Sequence, residues 1–110
     1  MTTPTNPDDL DVGHDFTITK TTRRQGNAGV WVQGSLNEHR FEALLFPEHA
    51  EDAAYELGDS RISKLWILRR ADDRTVFNFD RGMDLPPIDE VAQQIAGFLE
   101  AGLAEHVFGG

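Results

Sequence analysis

Residues 60–87, SRISKLWILRRADDRTVFNFDRGMDLPP, carry two apolar runs separated by a short acidic turn. The first run, Leu65-Trp66-Ile67-Leu68, is continuously apolar, and the second alternates over Phe77-Asn78-Phe79-Asp80, as strands do. A two-residue Asp72-Asp73 turn would set Leu65 opposite Asp80 and Ile67 opposite Asn78. A turn one residue longer pairs Leu65 with Phe79, Ile67 with Phe77 and Lys64 with Asp80. Cross-strand apolar pairs and opposite charges each contribute roughly 0.2–1 kcal/mol, so the longer turn is the expected one. Leu65, Ile67, Phe77 and Phe79 then share one face. Lys64, Trp66, Leu68, Val76, Asn78 and Asp80 share the other. The triplet Asp80-Arg81-Gly82 closes the hairpin as a structural motif, the alternative being Asp80 and Arg81 as a polar recognition pair. Asp80 pairs with Lys64, Arg81 covers the sheet edge, and Gly82 supplies backbone freedom before a Pro86-Pro87 helix entry.

Upstream, VWVQGSLNEHRFEALLF (30–46) forms a second hairpin. With Asn37-Glu38 as a two-residue turn, Val30 faces Leu45, Val32 faces Ala43 and Gly34 faces Phe41. The other face carries Trp31, Gln33, Ser35, Arg40 and Glu42, which separates apolar from polar and so specifies register. From His14, Phe16 and Ile18 alternate with Thr17 and Thr19 as a first strand. Residues 23–29, with Gly26 and Gly29, form a turn. Residues 47–58 read either as a short helix, from Pro47 to Gly58, or as a helical turn inside a loop. After Pro87 the period becomes helical: Ile88, Val91, Ile95, Phe98, Leu99 and Leu103 form one stripe, with Asp89 and Glu90 in the first turn and Gly109-Gly110 as a stop. The expected fold is α+β: an antiparallel β-meander of about five strands with one long C-terminal α-helix packed on one face.

The 110 residues suffice for one domain. Residues 1–13 read as a disordered acidic N-terminal tail, and 14–110 as a single α+β domain. The net charge of −9 is unevenly placed. All Lys and Arg lie between Lys20 and Arg81, leaving the tail and the C-terminal segment acidic. Generic phosphate-backbone binding is therefore disfavoured. There is no cysteine, which removes thiolate nucleophiles, disulfides and cysteine-based metal sites. No apolar run approaches the ~20 residues of a membrane span, and no secretory leader pattern opens the chain, so a cytoplasmic protein is expected.

The histidines, at 14, 39, 49 and 106, fall in four segments without metal-ligand spacing. His14 with Asp15, and His49 near Glu48 and Glu51, are the local pairings available to a site, but exposed histidines with no such role are the expectation. No nucleophile elbow, P-loop, dinucleotide fingerprint or EF-hand loop is present, and the expected protein is non-enzymatic, with no cofactor and no metal. The leading candidates for function are Trp31 and Trp66, on the face away from the helix, with Gln33, Arg40, Lys64 and Asn78 around them. Aromatics among polar and basic groups anchor protein partners or stack bases. The first reading is a protein partner or a homodimer docked on this face. The second is single-stranded nucleic acid, using the same aromatics and the basic cluster of residues 61–74, or an acidic surface that imitates nucleic acid. A purely structural alternative has residues 47–58, the tail or a second copy covering the tryptophans.

RISKLWI (61–67) and VFNFDRGMD (76–84), together with Trp31, Gly34, Phe41 and Ala43, carry a family resemblance. The pattern resembles a small family of uncharacterised bacterial and phage proteins reading W-x-x-G, F-x-A, RISKLWI, YDRGWD and a short helix. It spans about residues 30–100, with Met83 in place of a tryptophan and Phe79 in place of a tyrosine. The N-terminal strand and tail are additions to it. The resemblance implies a compact stand-alone domain in a phage or mobile-element setting, and it brings no activity and no catalytic residues.

Overall fold

The computed structural model describes residues 15–23, 29–52, 55–58 and 60–108. The expectations for the tail, for His14, for most of the 23–29 turn and for Gly109-Gly110 lie outside these residues. The elements in chain order are β1 (Thr17–Arg23), β2 (Val30–Leu36), β3 (His39–Leu45), β4 (Ile62–Arg69), β5 (Arg74–Asp80), β6 (Met83–Leu85) and α1 (Glu90–Phe108). The strands form one antiparallel sheet in sequence order, β1-β2-β3-β4-β5-β6, so every connection is between neighbours. The α+β class and the single C-terminal helix agree with the sequence reading. The strand count is six, because Met83–Leu85 adds a short strand that periodicity over three residues does not reveal.

Both hairpin registers match expectation. Val30, Val32 and Gly34 pair with Leu45, Ala43 and Phe41. The turn residues Asn37 and Glu38 both take positive φ, 53° and 61°, as a two-residue turn compatible with strand twist requires. In the second hairpin Lys64, Leu65 and Ile67 pair with Asp80, Phe79 and Phe77. Beyond Ile67 the register shifts, so that Leu68 meets Thr75 and Arg69 meets Arg74. Val76 is the extra residue of this bulge. Adjacent bulge residues no longer alternate cleanly between faces, and Val76 and Phe77 are both buried in the core. Val76 therefore does not belong to the tryptophan face, where strict alternation put it.

Helix α1 lies over β4 and β5. Ile95, Leu99 and Leu103 pack with Val32, Leu45, Ile62, Leu65 and Ile67 in one core of almost fully excluded side chains. Each such side chain contributes roughly 1.5–3 kcal/mol relative to exposure. Ala92, Ala96 and Ala104 complete the buried stripe, which is shifted toward small residues that let the helix approach the sheet. Phe98, expected in the stripe, is 37% exposed and instead meets the edge of Phe16 at a 5.4 Å ring separation. Asp89 is the N-cap: its Oδ1 accepts from the Ala92 N–H at 2.8 Å. The Ile88 N–H donates to the Val76 carbonyl at 3.0 Å, which ties the helix entry to the bulge.

None of the described residues of 47–58 is α-helical, and Tyr55 lies in a 3₁₀ turn. Ala53 and Ala54, part of the expected helical spacing, lie outside the described residues. Leu57 pins the loop by donating its N–H to the Ile62 carbonyl at 2.9 Å and by burying its side chain.

Gly34 sits where two strands crowd one residue. A Cβ there would overlap the Thr17 carbonyl and stand 2.7 Å from the Phe41 ring. Gly34→Ala is expected to lose about 1–3 kcal/mol of stability through overpacking, measured by chemical denaturation.

Candidate functional site

Register places the predicted residues in ordered rows on the face opposite α1. One row runs Trp31–Leu44–Lys64–Asp80, the next Gln33–Glu42–Trp66–Asn78, and the third Ser35–Arg40–Leu68–Thr75. All six candidates, Trp31, Gln33, Arg40, Lys64, Trp66 and Asn78, thus share one surface. Trp31 and Trp66 are half-buried. The Lys64 ammonium stands 6.0 Å from the Trp31 ring centre, and the Arg40 guanidinium 5.9 Å from that of Trp66. Both are cation–π distances. Lys64 also reaches Asp80 at 3.5 Å. The Trp66 indole N–H donates to Thr75 Oγ1 at 3.0 Å, and the Asn78 amide donates to Asp84 Oδ2 at 2.9 Å. These bonds fix the orientation of Trp66 and Asn78. Between the two rings lies a groove of about 290 Å³ whose walls include Glu42, Lys64 and Asn78. Gln33 is exposed on the β1 side and lines a different depression.

Leu44 and Leu68, 4% and 9% exposed, supply the apolar floor of this face. Leu44 is absent from the predicted set, although its place between Trp31 and Lys64 follows from the register. The basic cluster of residues 61–74 is not one patch. Arg61 precedes β4 and Arg70 and Arg74 follow or face its far end, about 26 Å away along eight residues of strand. Arg69 donates to both Asp72 oxygens, at 3.1 and 2.9 Å, and to Asp89 at 3.1 Å. The hydrogen bonds from Arg69 hold the Asp72 carboxyl below its ordinary pKa. Arg69 is committed to tying the β4–β5 turn to the helix cap.

Asp80-Arg81-Gly82 forms the β5–β6 turn. The Asp80 N–H donates to the Gly82 carbonyl at 2.9 Å, with positive φ at Arg81 (53°) and Gly82 (152°). The triplet leads into a strand, not directly into the helix. The Arg81 N–H donates to the Ser63 carbonyl of β4 at 2.9 Å, and the residue lines depressions shared with Phe46 and Ser63.

The histidines also depart from expectation. His39 is 5% exposed and bonds through Nδ1 to the Asn37 carbonyl at 2.7 Å. His49 pairs with neither Glu48 nor Glu51 but with Glu56, Nδ1 to Oε2 at 2.7 Å. The other Glu56 oxygen accepts the Ala50 N–H at 2.7 Å. Burial alone would raise the Glu56 pKa. The His49 bond, the backbone N–H groups of Ala50 and Arg61 and the His49 charge together outweigh it and hold the carboxyl below its ordinary value. No spacing rule finds this pair, since a seven-residue separation within a loop has no period. His106 lies 5.2 Å from the Phe16 ring. Among the described residues there is no cluster of metal-ligating side chains, and no helix is long and apolar enough to cross a membrane.

The model of a domain of unknown function, DUF7678, matches residues 30–104, from the start of β2 into the last turns of α1. The chain belongs to this family. Comparison with curated proteins and with solved structures returns no match. The DUF7678 match holds both hairpins, the tryptophan face and the Glu56 loop. It leaves out β1, whose Ile18 nevertheless packs against the core.

Because the folded state favours the Glu56 carboxylate, its contribution is present above the ordinary value of 4.5 and is lost as pH falls below it. Glu56→Gln is expected to lose about 1–3 kcal/mol at neutral pH. The melting curves of the two proteins should converge in acid, which thermal denaturation across pH checks.

Proposed function

We propose that this domain is a non-catalytic protein-binding module that docks another protein, or a second copy of itself, on the Trp31/Trp66 face. One observation carries the reading: two half-buried tryptophans stand under cationic side chains on the sheet face that α1 leaves open. Trp and Arg dominate the binding energy of protein interfaces, because rigid aromatic area and a planar guanidinium lose little entropy on docking. Leu44 and Leu68 add a buried apolar floor, and Glu42, Asn78 and Gln33 supply polar contacts at its margin. The dispersal of the basic cluster and the commitment of Arg69 to Asp72 and Asp89 favour a protein partner over single-stranded nucleic acid. The sequence resemblance supports a bacterial host, in a phage or mobile-element setting, as the place where that partner is met.

Replacing both tryptophans by alanine tests the reading. Circular dichroism should show the fold retained. Self-association, followed by sedimentation over a concentration series, or capture of a partner should weaken by about thirtyfold or more. A double variant that unfolds would instead make the tryptophans core residues and end the proposal.

A further inference from the structure

A second cavity, of about 360 Å³, lies where the 46–56 loop folds against the start of β4 and the end of β5. Its size is that of small-ligand sites, and its lining is mostly apolar, with Phe46, Pro47 and Tyr55 among the walls. Arg61 and Arg81 both line it, and both hold left-handed backbone conformations, φ 64° and 53°. Such positions are served with least strain by glycine, asparagine or aspartate. Arginine at both, on one cavity, places strain where a side chain is needed, a frequent mark of functional sites.

The two arginines differ in what they are free to do. Arg61 donates from Nη1 to the Pro47 carbonyl at 3.2 Å and lies 5.7 Å from the Phe108 ring centre, so it builds the wall. The Arg81 guanidinium has no hydrogen-bond or ion-pair partner among the described residues, while its backbone N–H is anchored on Ser63. His49 is 60% exposed, and its Nδ1 is held by the buried Glu56 carboxylate, which leaves Nε2 unengaged by the protein. Glu48 is the exposed carboxylate of the rim.

We propose that this cavity binds a small organic anion: a carboxylate or phosphate group held by Arg81, on an aromatic or aliphatic body lying against Phe46, Pro47 and Tyr55. A guanidinium is charged at every physiological pH, and its planar fork matches both oxyanions. Apolar walls with one convergent cation select an anion carrying a hydrophobic body over a bare inorganic ion. This site adjoins the tryptophan face, since Arg81, Phe46 and Ser63 also line a depression with Trp31 and Lys64, but the residues assigned to the anion and its body do not include either tryptophan.

Titration of the ¹⁵N-labelled full chain with benzoate and with phenyl phosphate decides the matter and separates the two oxyanions. At least one should give saturable shifts at His49, Ser63 and Arg81, with benzyl alcohol and inorganic phosphate much weaker. Arg81→Gln should bind that probe about ten- to a hundredfold more weakly at an unchanged melting temperature. Arg81→Lys should recover part of the affinity, and Trp66→Ala, at a residue that lines neither depression holding Arg81, should bind as the natural chain does. The proposal is overturned if neither anion saturates by about 10 mM, if benzyl alcohol binds equally, or if Arg81→Gln binds unchanged.

Discussion

A six-stranded sheet has two faces about 24 Å wide, and the described residues supply one α-helix, about 10 Å across, to shield them. That shortage governs the molecule. The helix settles over β4 and β5, and the remainder of its face is closed by Phe41 with the partly buried Phe16 stacked on it at 6.0 Å. The opposite face receives no second layer from the described residues. It is covered only by its own long side chains: Lys64 over Trp31 and Arg40 over Trp66. Aliphatic stems lying on aromatic rings shield apolar area while keeping the charge in water, so the two tryptophans are half-buried although no second layer of the described residues covers them.

The bulge at Val76 reconciles this sheet with its helix. By turning Val76 inward beside Phe77, it adds apolar volume beneath the helix entry, and its carbonyl accepts the Ile88 N–H. Arg69, bonded to Asp72 and Asp89, ties the neighbouring turn to the helix cap. The β4–β5 hairpin and the helix start are therefore one mechanical unit. The groove between Trp31 and Trp66 borders this unit through Trp66, Asn78 and Phe79. The loop before β4 is organised differently, by a buried carboxylate that gathers a histidine and two backbone N–H groups.

Much of this was legible from residues alone. The pairings Leu65–Phe79, Ile67–Phe77 and Val32–Ala43 follow from alternation and turn length, because a one-residue slip would turn every apolar side chain to water. The placement of Trp31, Lys64, Trp66 and Asn78 on one surface follows from the same rule. Val76 escaped it, since a bulge breaks alternation where the ladder and helix entry demand it. Strand β6 escaped it because three residues carry no period. Phe98 kept helical spacing yet remained partly exposed, since the helix sits over β4 and β5 and Phe98 falls at the edge of that contact.

The sequence by itself determined the fold class, the hairpin registers as far as the Val76 bulge, the C-terminal helix with acidic residues at its start, and which side chains outside that bulge share a face. Those are consequences of local period, turn chemistry and capping, which act within a few residues. Only the tertiary structure decided that Glu56 gathers His49, Ala50 and Arg61, and that Arg61 and Arg81, twenty residues apart, line one cavity. Those meetings depend on the 46–61 loop folding back on β4, and no local preference specifies a contact that exists only once β3, β4 and β5 are paired.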